Sequence, residues 1–190
     1  MNQYHFITHW QVEGTEEEVS DILGDVATLM RWLPSVYLDV KILDPGDEHG
    51  IGKVASLYTK GWLPYTLRWR FRVIESHYPC GFTLEAWGDF EGHGTWTLSR
   101  TGKMVNITYD WEIRAKKPLL RALSFLLKPI FSANHRWAMR RGEESLKLEL
   151  ARLRASTPEE ADRIPNPPGP TFPHNLRHRN FKERLMRKRL

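Results

Sequence analysis

His135 is the ionisable side chain whose place in the sequence best suits chemistry. It lies on the apolar stripe of a predicted helix, and an imidazole titrates near neutral pH, so it can give a proton to a bound ligand or take one. The alternatives are a hydrogen-bonded structural histidine and an inward-facing Asn134 beside it. No acid–base pair or nucleophile accompanies His135, so the sequence predicts no catalytic residue.

Aromatic side chains recur at alternate positions of three predicted strands and therefore share one face. Trp and Tyr combine a large apolar surface with a hydrogen-bonding group, which suits a cavity for a flat or apolar ligand. Ordinary core packing is the alternative interpretation. The predicted lining residues are Trp69, Phe71, Trp96, Tyr109, Trp111, Phe131, His135 and Met139.

The sequence contains no recognisable metal or cofactor motif. Its eight histidines form no His-Glu-x-x-His pattern, and Cys80 is its one cysteine. His5 and His9 share a strand face but have no third ligand nearby in the sequence. A glycine-rich phosphate loop and a Gly-x-Ser-x-Gly elbow are absent as well. We therefore expect neither a cofactor nor a metal.

Alternation of apolar and polar residues predicts seven strands that would position these side chains. Two short helices are predicted after the first strand, one beginning with the capping-box pair Thr15 and Glu18 and one ending at Pro34. The predicted strands are Tyr4–Glu13, Val36–Leu43, Gly52–Thr59, Tyr65–His77, Phe82–Trp87, Glu91–Arg100 and Val105–Arg114.

The longest predicted strand indicates which face of the sheet meets water. Its three arginines alternate with the apolar residues, which predicts a solvated outer face paired across strands with acids such as Glu85 or Asp110. The loop Lys60–Tyr65 before it is rich in bulky apolar residues. It can border a cavity mouth, contact a membrane or fold Trp62 back onto the domain. The outward-facing residues are Arg68, Arg70 and Arg72.

A long helix over Lys117–Leu153 completes the predicted domain. Pro129 removes one hydrogen bond of the helix and should kink or split it, and Gly142 in its interior suggests a close packing partner. An antiparallel sheet with its buried face on one long helix is an α+β layout. The residues predicted to share the inner stripe are His135, Met139, Gly142, Leu146, Leu150 and Leu153.

Four segments of the chain resemble motifs of one superfamily. They are Phe71–Glu75, Gly92–Leu98, Ile107–Trp111 and Asn134–Glu143, and the resemblance extends over Tyr4–Ala155. In element order and motifs this region is similar to the SRPBCC proteins, which are START-like or birch-allergen-like, and to their polyketide cyclase/dehydrase and coenzyme Q-binding branch. The resemblance implies a helix-grip fold with a deep, largely apolar ligand cavity and no universal catalytic residue.

Three functions follow from these expectations. The first is binding of a small apolar or aromatic ligand, such as a lipid, a quinone or a polyketide-like molecule, without a catalytic centre. The second is a cyclase/dehydrase-type enzyme that uses the same cavity and in which His135 or Tyr109 assists proton transfer. The third is an interaction module located by its basic tail.

The positive charge of the chain is concentrated near its end. Residues 156–190 carry 8 of the 28 Lys and Arg residues but only 4 of the 23 Asp and Glu residues. We therefore divide the chain into a helix-grip domain at 1–155 and a tail at 156–190. Its first part, Thr157–Pro173, holds six prolines and is predicted to be extended.

The end of the tail, residues 175–190, suits an anionic membrane surface, RNA or an acidic partner, or it solubilises or docks on its own domain. No recognition motif accompanies the charge, so specific DNA binding is not expected. No signal-peptide pattern opens the sequence, and the longest apolar run, Leu119–Phe131, is too short to span a bilayer. We expect a cytoplasmic protein, which a single cysteine also fits.

Overall fold

The computed structural model describes residues 3–116 and 118–171 as seven strands and four α-helices, with a short 3-10 turn at Val26–Thr28. The strands are β1 Gln3–Glu13, β2 Tyr37–Asp44, β3 Val54–Lys60, β4 Thr66–Ser76, β5 Gly81–Gly88, β6 Phe90–Thr101 and β7 Met104–Ala115. The helices are α1 Glu16–Gly24, α2 Leu29–Trp32, α3 Pro118–Arg154 and α4 Pro158–Arg163.

All seven strands form one antiparallel sheet in the order β1-β7-β6-β5-β4-β3-β2. Each strand from β2 to β7 lies beside its neighbour in the chain, and β1 returns to pair with β7. The sheet curves over α3, so the predicted α+β helix-grip architecture is confirmed.

The predicted faces of the central strands are also confirmed. On β4, Phe71 and Val73 are buried. The arginines at the alternate positions of this strand, Arg68, Arg70 and Arg72, are exposed. On β7 every second residue from Val105 to Trp111 is buried. Arg72 pairs with Glu85 at 3.4 Å, one of the two predicted cross-strand partners.

The edge strand β2 departs from its predicted alternation. Ile42 and Leu43 are 47% and 52% exposed although they are apolar neighbours. The pairing of β2 with β3 is irregular at two places, between Tyr37 and Asp39 and between Ile42 and Asp44. An extra residue at such a bulge shifts the phase of the side chains, and simple alternation cannot anticipate this.

The predicted capping box starts α1. The Thr15 side chain accepts a hydrogen bond from the Glu18 backbone N–H at 3.2 Å, and Glu18 Oε2 accepts one from the Thr15 N–H at 2.8 Å. The same carboxylate receives the guanidinium of Arg154 at 2.6 Å, which ties α1 to the end of α3. Hydrogen bonding from Arg154 is the main cause that lowers the pKa of Glu18.

The long helix α3 confirms one prediction and corrects two. A Cβ on Gly142 would lie 2.7 Å from the Trp10 ring, so a close packing partner is present as predicted. The helix continues through Pro129, so of the two predicted effects the split is wrong and the kink stays a prediction; a proline removes one hydrogen bond, and the neighbouring turns keep theirs. Leu153 is 60% exposed and so lies outside the buried stripe, which ends at Glu149 and Leu150; Glu149 is buried and pairs with Arg31 at 2.6 Å.

The segment after α3 is not wholly extended, contrary to the prediction. Within Thr157–Pro173, helix α4 forms because Pro158 takes the first helical position and the Thr157 hydroxyl accepts a hydrogen bond from the Glu160 N–H at 3.2 Å. Arg152 also donates to the Pro165 carbonyl at 3.0 Å, so this segment contacts α3.

Candidate functional site

A cavity of about 610 Å³ lies between the inner face of the sheet and helices α1 to α3. Its volume is within the range of about 300–1,000 Å³ that is typical of small-molecule sites. The wall is mostly apolar and takes residues from all seven strands, so the curvature of the sheet creates the space. The cavity is therefore the candidate site.

Stacked aromatic rings form one wall of the cavity. Trp96 and Tyr109 face each other across β6 and β7 and stack with ring centroids 4.0 Å apart and planes 13° apart. Tyr109 also stacks on Trp111 at 5.5 Å, and Trp111 meets Trp69 on β4 at 5.9 Å. Burial raises the pKa of Tyr109 well above its ordinary value, so its hydroxyl stays protonated at neutral pH.

Gly94 makes room for this aromatic wall. A Cβ at this position would lie 2.5 Å from Cε3 of Trp111 and 2.8 Å from the Tyr109 hydroxyl oxygen. No real Cβ atom sits so close to a ring, and the Trp111 side chain lies over the β6 backbone only because residue 94 has no side chain. A glycine inside a predicted strand indicates that another group packs closely on the backbone there. The sequence does not show that this group is the Trp111 ring.

Helix α3 contributes the opposite wall with Phe131, His135 and Met139. The His135 ring stacks on Phe6 with centroids 4.1 Å apart. Burial, with a smaller effect of the neighbouring Arg136 charge, lowers the pKa of His135 to about 4. Its Nε2 is buried and has no hydrogen-bond partner in the part of the chain that the structure describes. His135 is thus a neutral imidazole at physiological pH.

Asn134 connects α3 to the loop between β3 and β4. Its Oδ1 accepts a hydrogen bond from the Leu63 N–H at 3.1 Å, and its Nδ2 donates to the Tyr65 hydroxyl at 3.4 Å. Gly61 packs so closely on this amide that a Cβ there would clash with it. Gly61 and Tyr65 both line the cavity, while Trp62 is 37% exposed. The loop therefore borders the cavity, as one of its predicted roles requires, and Trp62 stays partly exposed.

Polar residues border the other end of the cavity. They come from the end of α1 and from the β2–β3 and β4–β5 loops. Lys53 Nζ donates to the Gly24 carbonyl at 3.1 Å, which links the β2–β3 loop to the carboxyl end of α1. Aspartate, glutamate and histidine side chains accompany it, namely Asp21, Asp25, Glu48 and His49.

The structure brings all eight sequence-predicted site residues into the wall of this cavity. That they bind a ligand stays a prediction. Sequence reasoning missed other wall residues, among them Lys60 at the end of β3 and Phe6 on β1. The alternation of β1 puts Phe6 on the same side of the strand as Trp10, and this was the available signal. Nothing in the local pattern set Lys60 apart from a solvated lysine.

His5 lies in a polar cluster on the outer face of the sheet. Its Nε2 is 2.8 Å from Asp110 Oδ1 and 3.9 Å from Glu112 Oε1. The sequence places no further ligand near His5 along the chain, but the β1–β7 register sets it opposite Glu112. All three side chains are at the surface, where histidine–carboxylate pairs are common, and the expected absence of a metal stays a prediction.

Two sequence-based expectations concern membranes and partners. Among the described residues, no helix is both long and apolar enough to cross a membrane. The basic segment 175–190 lies outside the described residues, and its predicted partners stay predictions.

Several known structures have a fold similar to that of this chain. No family model and no curated protein sequence matches the chain. TTHA0849 from Thermus thermophilus is 13% identical with a TM-score of 0.64, over 80% of this chain and 100% of that one. The Zhui aromatase/cyclase from a Streptomyces species is 17% identical with a TM-score of 0.59, over 81% and 98%.

A third known structure also has a similar fold. Norcoclaurine synthase from Thalictrum flavum, in complex with dopamine and hydroxybenzaldehyde, is 15% identical with a TM-score of 0.57, over 82% of this chain and 90% of that one. At such identities the likeness shows the fold alone. The chain shares its fold with these structures, and this is the fold that its resemblance to the SRPBCC, polyketide cyclase-like proteins implied.

Proposed function

We propose that this protein binds a small, largely apolar or aromatic molecule in the cavity between the sheet and α3. The observation that carries the proposal is the cavity itself, about 610 Å³ in volume and walled by stacked aromatic rings. A packed core leaves few voids larger than a water molecule, so a space of this size inside a domain needs an occupant.

The wall indicates the chemistry of the occupant. The Trp96, Tyr109 and Trp111 rings offer flat faces that suit an aromatic or polyene molecule. Most of the wall is apolar and a minority of its groups are polar, which is typical of sites that bind an apolar ligand and orient it through a small number of hydrogen bonds. Lipids, quinones and polyketide-like molecules meet this description. The names of the similar structures, an aromatase/cyclase and a norcoclaurine synthase with aromatic ligands, point the same way.

A fluorescence titration with N-phenyl-1-naphthylamine, an uncharged aromatic probe, tests the proposal. The probe should bind with a stoichiometry of one and quench tryptophan emission, because Trp69, Trp96 and Trp111 line the cavity. Ala138→Trp should weaken binding about tenfold or more, since it places a large ring at a buried wall position on α3. Arg140→Trp, on the exposed side of the same helix, is the matched control.

Binding that is unchanged in Ala138→Trp would place the probe outside the cavity. Absence of saturable binding by this probe and by chemically varied apolar aromatics would contradict the proposal. Both variants should first be shown to unfold cooperatively in urea, so that a lost signal reports the cavity and not the fold.

Cyclase-type catalysis in the same cavity is the second candidate, and His135 favours it. A neutral imidazole in an apolar wall can accept a proton from a carbon between two carbonyl groups, the step that starts an aldol-type ring closure. His135→Phe keeps a ring stacked on Phe6. It should abolish conversion of a poly-β-carbonyl thioester while leaving the affinity for N-phenyl-1-naphthylamine unchanged. Equal conversion by the two proteins would exclude this role.

We further propose that segment 175–190 holds the protein at an acidic partner or an anionic membrane. It contains seven Lys and Arg residues against the single acid Glu183. Removing this segment should abolish co-sedimentation with phosphatidylserine vesicles at low salt and leave probe binding intact. Equal sedimentation of the two forms would refute a membrane role.

A further inference from the structure

The Tyr109 hydroxyl is a polar group inside the protein that the fold leaves without a partner. The Tyr109 side chain is 6% exposed and forms part of the cavity wall. Within the described part of the chain, its hydroxyl forms no hydrogen bond. The unpartnered Nε2 of His135 has no accessible surface, whereas the Tyr109 oxygen keeps some surface towards the cavity. Because a buried hydroxyl without a hydrogen bond costs free energy, we expect the occupant of the cavity to supply the partner.

The neighbours of Tyr109 hold its hydroxyl in place. The Tyr109 ring stacks on Trp96 with centroids 4.0 Å apart and on Trp111 at 5.5 Å. A Cβ at Gly94 would lie 2.8 Å from the hydroxyl oxygen, so this oxygen lies close to the backbone of β6. On the opposite side, the Tyr109 backbone pairs with Thr8 of β1. The hydroxyl therefore has a fixed position before a ligand arrives, as a binding group requires.

Tyr37 brings a second hydroxyl from the far edge of the sheet. It begins β2, and four other strands lie between β2 and β7 in the sheet. Protein surrounds the Tyr37 side chain, yet it keeps accessible surface, which therefore faces the cavity that it lines. Among the described residues its hydroxyl has no hydrogen-bond partner either. Burial raises the pKa of Tyr109 and the Tyr37 phenol raises it further, an effect that requires the two groups to lie near each other.

Both phenols are hydrogen-bond donors at neutral pH. Burial raises the pKa of Tyr37 to about 12 and that of Tyr109 well above its ordinary value, so both keep their protons. A carbonyl oxygen has two lone pairs and no proton, so it can accept a hydrogen bond from either phenol or from both. A carboxylate would instead bring a charge into a mostly apolar wall. A neutral carbonyl group is therefore the acceptor that best matches this part of the cavity.

We propose that the Tyr37 and Tyr109 hydroxyls donate hydrogen bonds to carbonyl oxygen of the bound ligand. The cavity then selects flat, apolar ketones and quinones over hydrocarbons of the same shape. No covalent bond forms or breaks, and neither tyrosine gives up its proton. The inference rests on the proposed function and deepens it, since it assigns a carbonyl group to the ligand and names the two side chains that recognise it.

Two matched ligands test this in the full-length protein. 9-Fluorenone and fluorene share one flat three-ring skeleton and differ only in a carbonyl group against a methylene group. Their affinities follow from displacement of N-phenyl-1-naphthylamine. We expect fluorenone to bind about tenfold more tightly, because two neutral hydrogen bonds favour the ketone. A cavity without donors would favour fluorene instead, since the ketone loses its hydrogen bonds to water on entry.

Conservative variants assign the preference to the two hydroxyls. Tyr37→Phe and Tyr109→Phe each remove one oxygen and keep the ring. Each should weaken fluorenone binding about threefold or more and leave fluorene binding unchanged, which also shows that the cavity is intact. Tyr58→Phe is the matched control, since Tyr58 lies under the Arg68 guanidinium at 4.2 Å, away from the cavity. It should change neither affinity.

Infrared spectroscopy reads the hydrogen bond itself. The carbonyl stretch of fluorenone carrying carbon-13 at the carbonyl falls in frequency when its oxygen accepts hydrogen bonds. In the wild-type complex it should lie below its frequency in hexane, and it should move towards that value in the Tyr37→Phe/Tyr109→Phe double variant. The same frequency in both proteins would overturn the inference.

The affinities also separate the two proposals. If N-phenyl-1-naphthylamine binds the wild type but fluorenone binds no better than fluorene, or if the preference survives in the double variant, the carbonyl inference is refuted and the binding function stands. If neither this probe nor the two three-ring ligands bind, the proposed function fails as well.

Discussion

Replacing His135 with Phe should remove a defined part of the acid sensitivity of this fold. In the native protein His135 is buried and neutral, and burial lowers its pKa from 6.5 to about 4. In the unfolded chain the imidazole is solvated and regains its ordinary pKa. Between these two values the unfolded state binds a proton that the native state does not, so acidification favours unfolding.

The size of the effect follows from the two pKa values. Below the pKa of His135 in the native state, the imidazole is protonated in both states, and above its pKa in the unfolded state it is neutral in both. The loss of stability on acidification therefore develops between about pH 6.5 and pH 4. Relative to pH 7, acidification to pH 5 favours the unfolded state by a factor of roughly 20, or about 2 kcal/mol. The ring centroids of His135 and Phe6 lie 4.1 Å apart. A phenylalanine at position 135 keeps a ring stacked on Phe6 and cannot titrate.

The measurement is urea unfolding followed by tryptophan fluorescence at several pH values from 7.5 to 4.5. Carboxylates also titrate in this range, so the quantity to compare is the difference between wild type and His135→Phe at each pH. That difference should grow by about 2 kcal/mol from pH 7 to pH 5. His93→Phe, at an exposed position on the outer sheet face, is the control and should track the wild type. Parallel curves for wild type and His135→Phe would refute the buried neutral imidazole.

Three further predictions concern packing around the cavity. Trp111→Ala should lower the free energy of unfolding by about 3–5 kcal/mol in urea titrations, because the side chain is buried among aromatic rings; a loss below about 1 kcal/mol would contradict its packing. Gly142→Ala should destabilise by about 1 kcal/mol or more although alanine favours helices, since the new methyl group meets Trp10; a gain would contradict the contact. Gly94→Ala should weaken N-phenyl-1-naphthylamine binding about tenfold, whereas Gly169→Ala, whose Cβ meets nothing within 4 Å, should not.

Local rules predicted the elements of this fold. The Thr15–Glu18 capping box, the two-residue period of β4 and β7 and the packing at Gly142 all depend on residues close in sequence or on one missing side chain. The order of these elements was enough to identify the fold. Where an extra residue shifts a strand, as at Ile42 on β2, the period fails because the bulge depends on the neighbouring strand.

The site was predictable only in part for the same reason. Its aromatic wall follows from strand alternation, so the rings that line the cavity could be named from the sequence. The polar features depend on contacts between distant segments. Asn134 reaches the Leu63 backbone across 71 positions of sequence, and His5 meets Asp110 across 105. Lys60 looks like any surface lysine until the fold encloses it.

Native mass spectrometry of the protein purified from its own host would show whether the cavity holds a ligand. We expect one noncovalent small molecule per chain, apolar or aromatic on extraction and identification. The adduct should be displaced by excess N-phenyl-1-naphthylamine and be depleted in Ala138→Trp. A protein that carries no such molecule and also fails to bind added apolar aromatics would contradict a ligand-binding cavity.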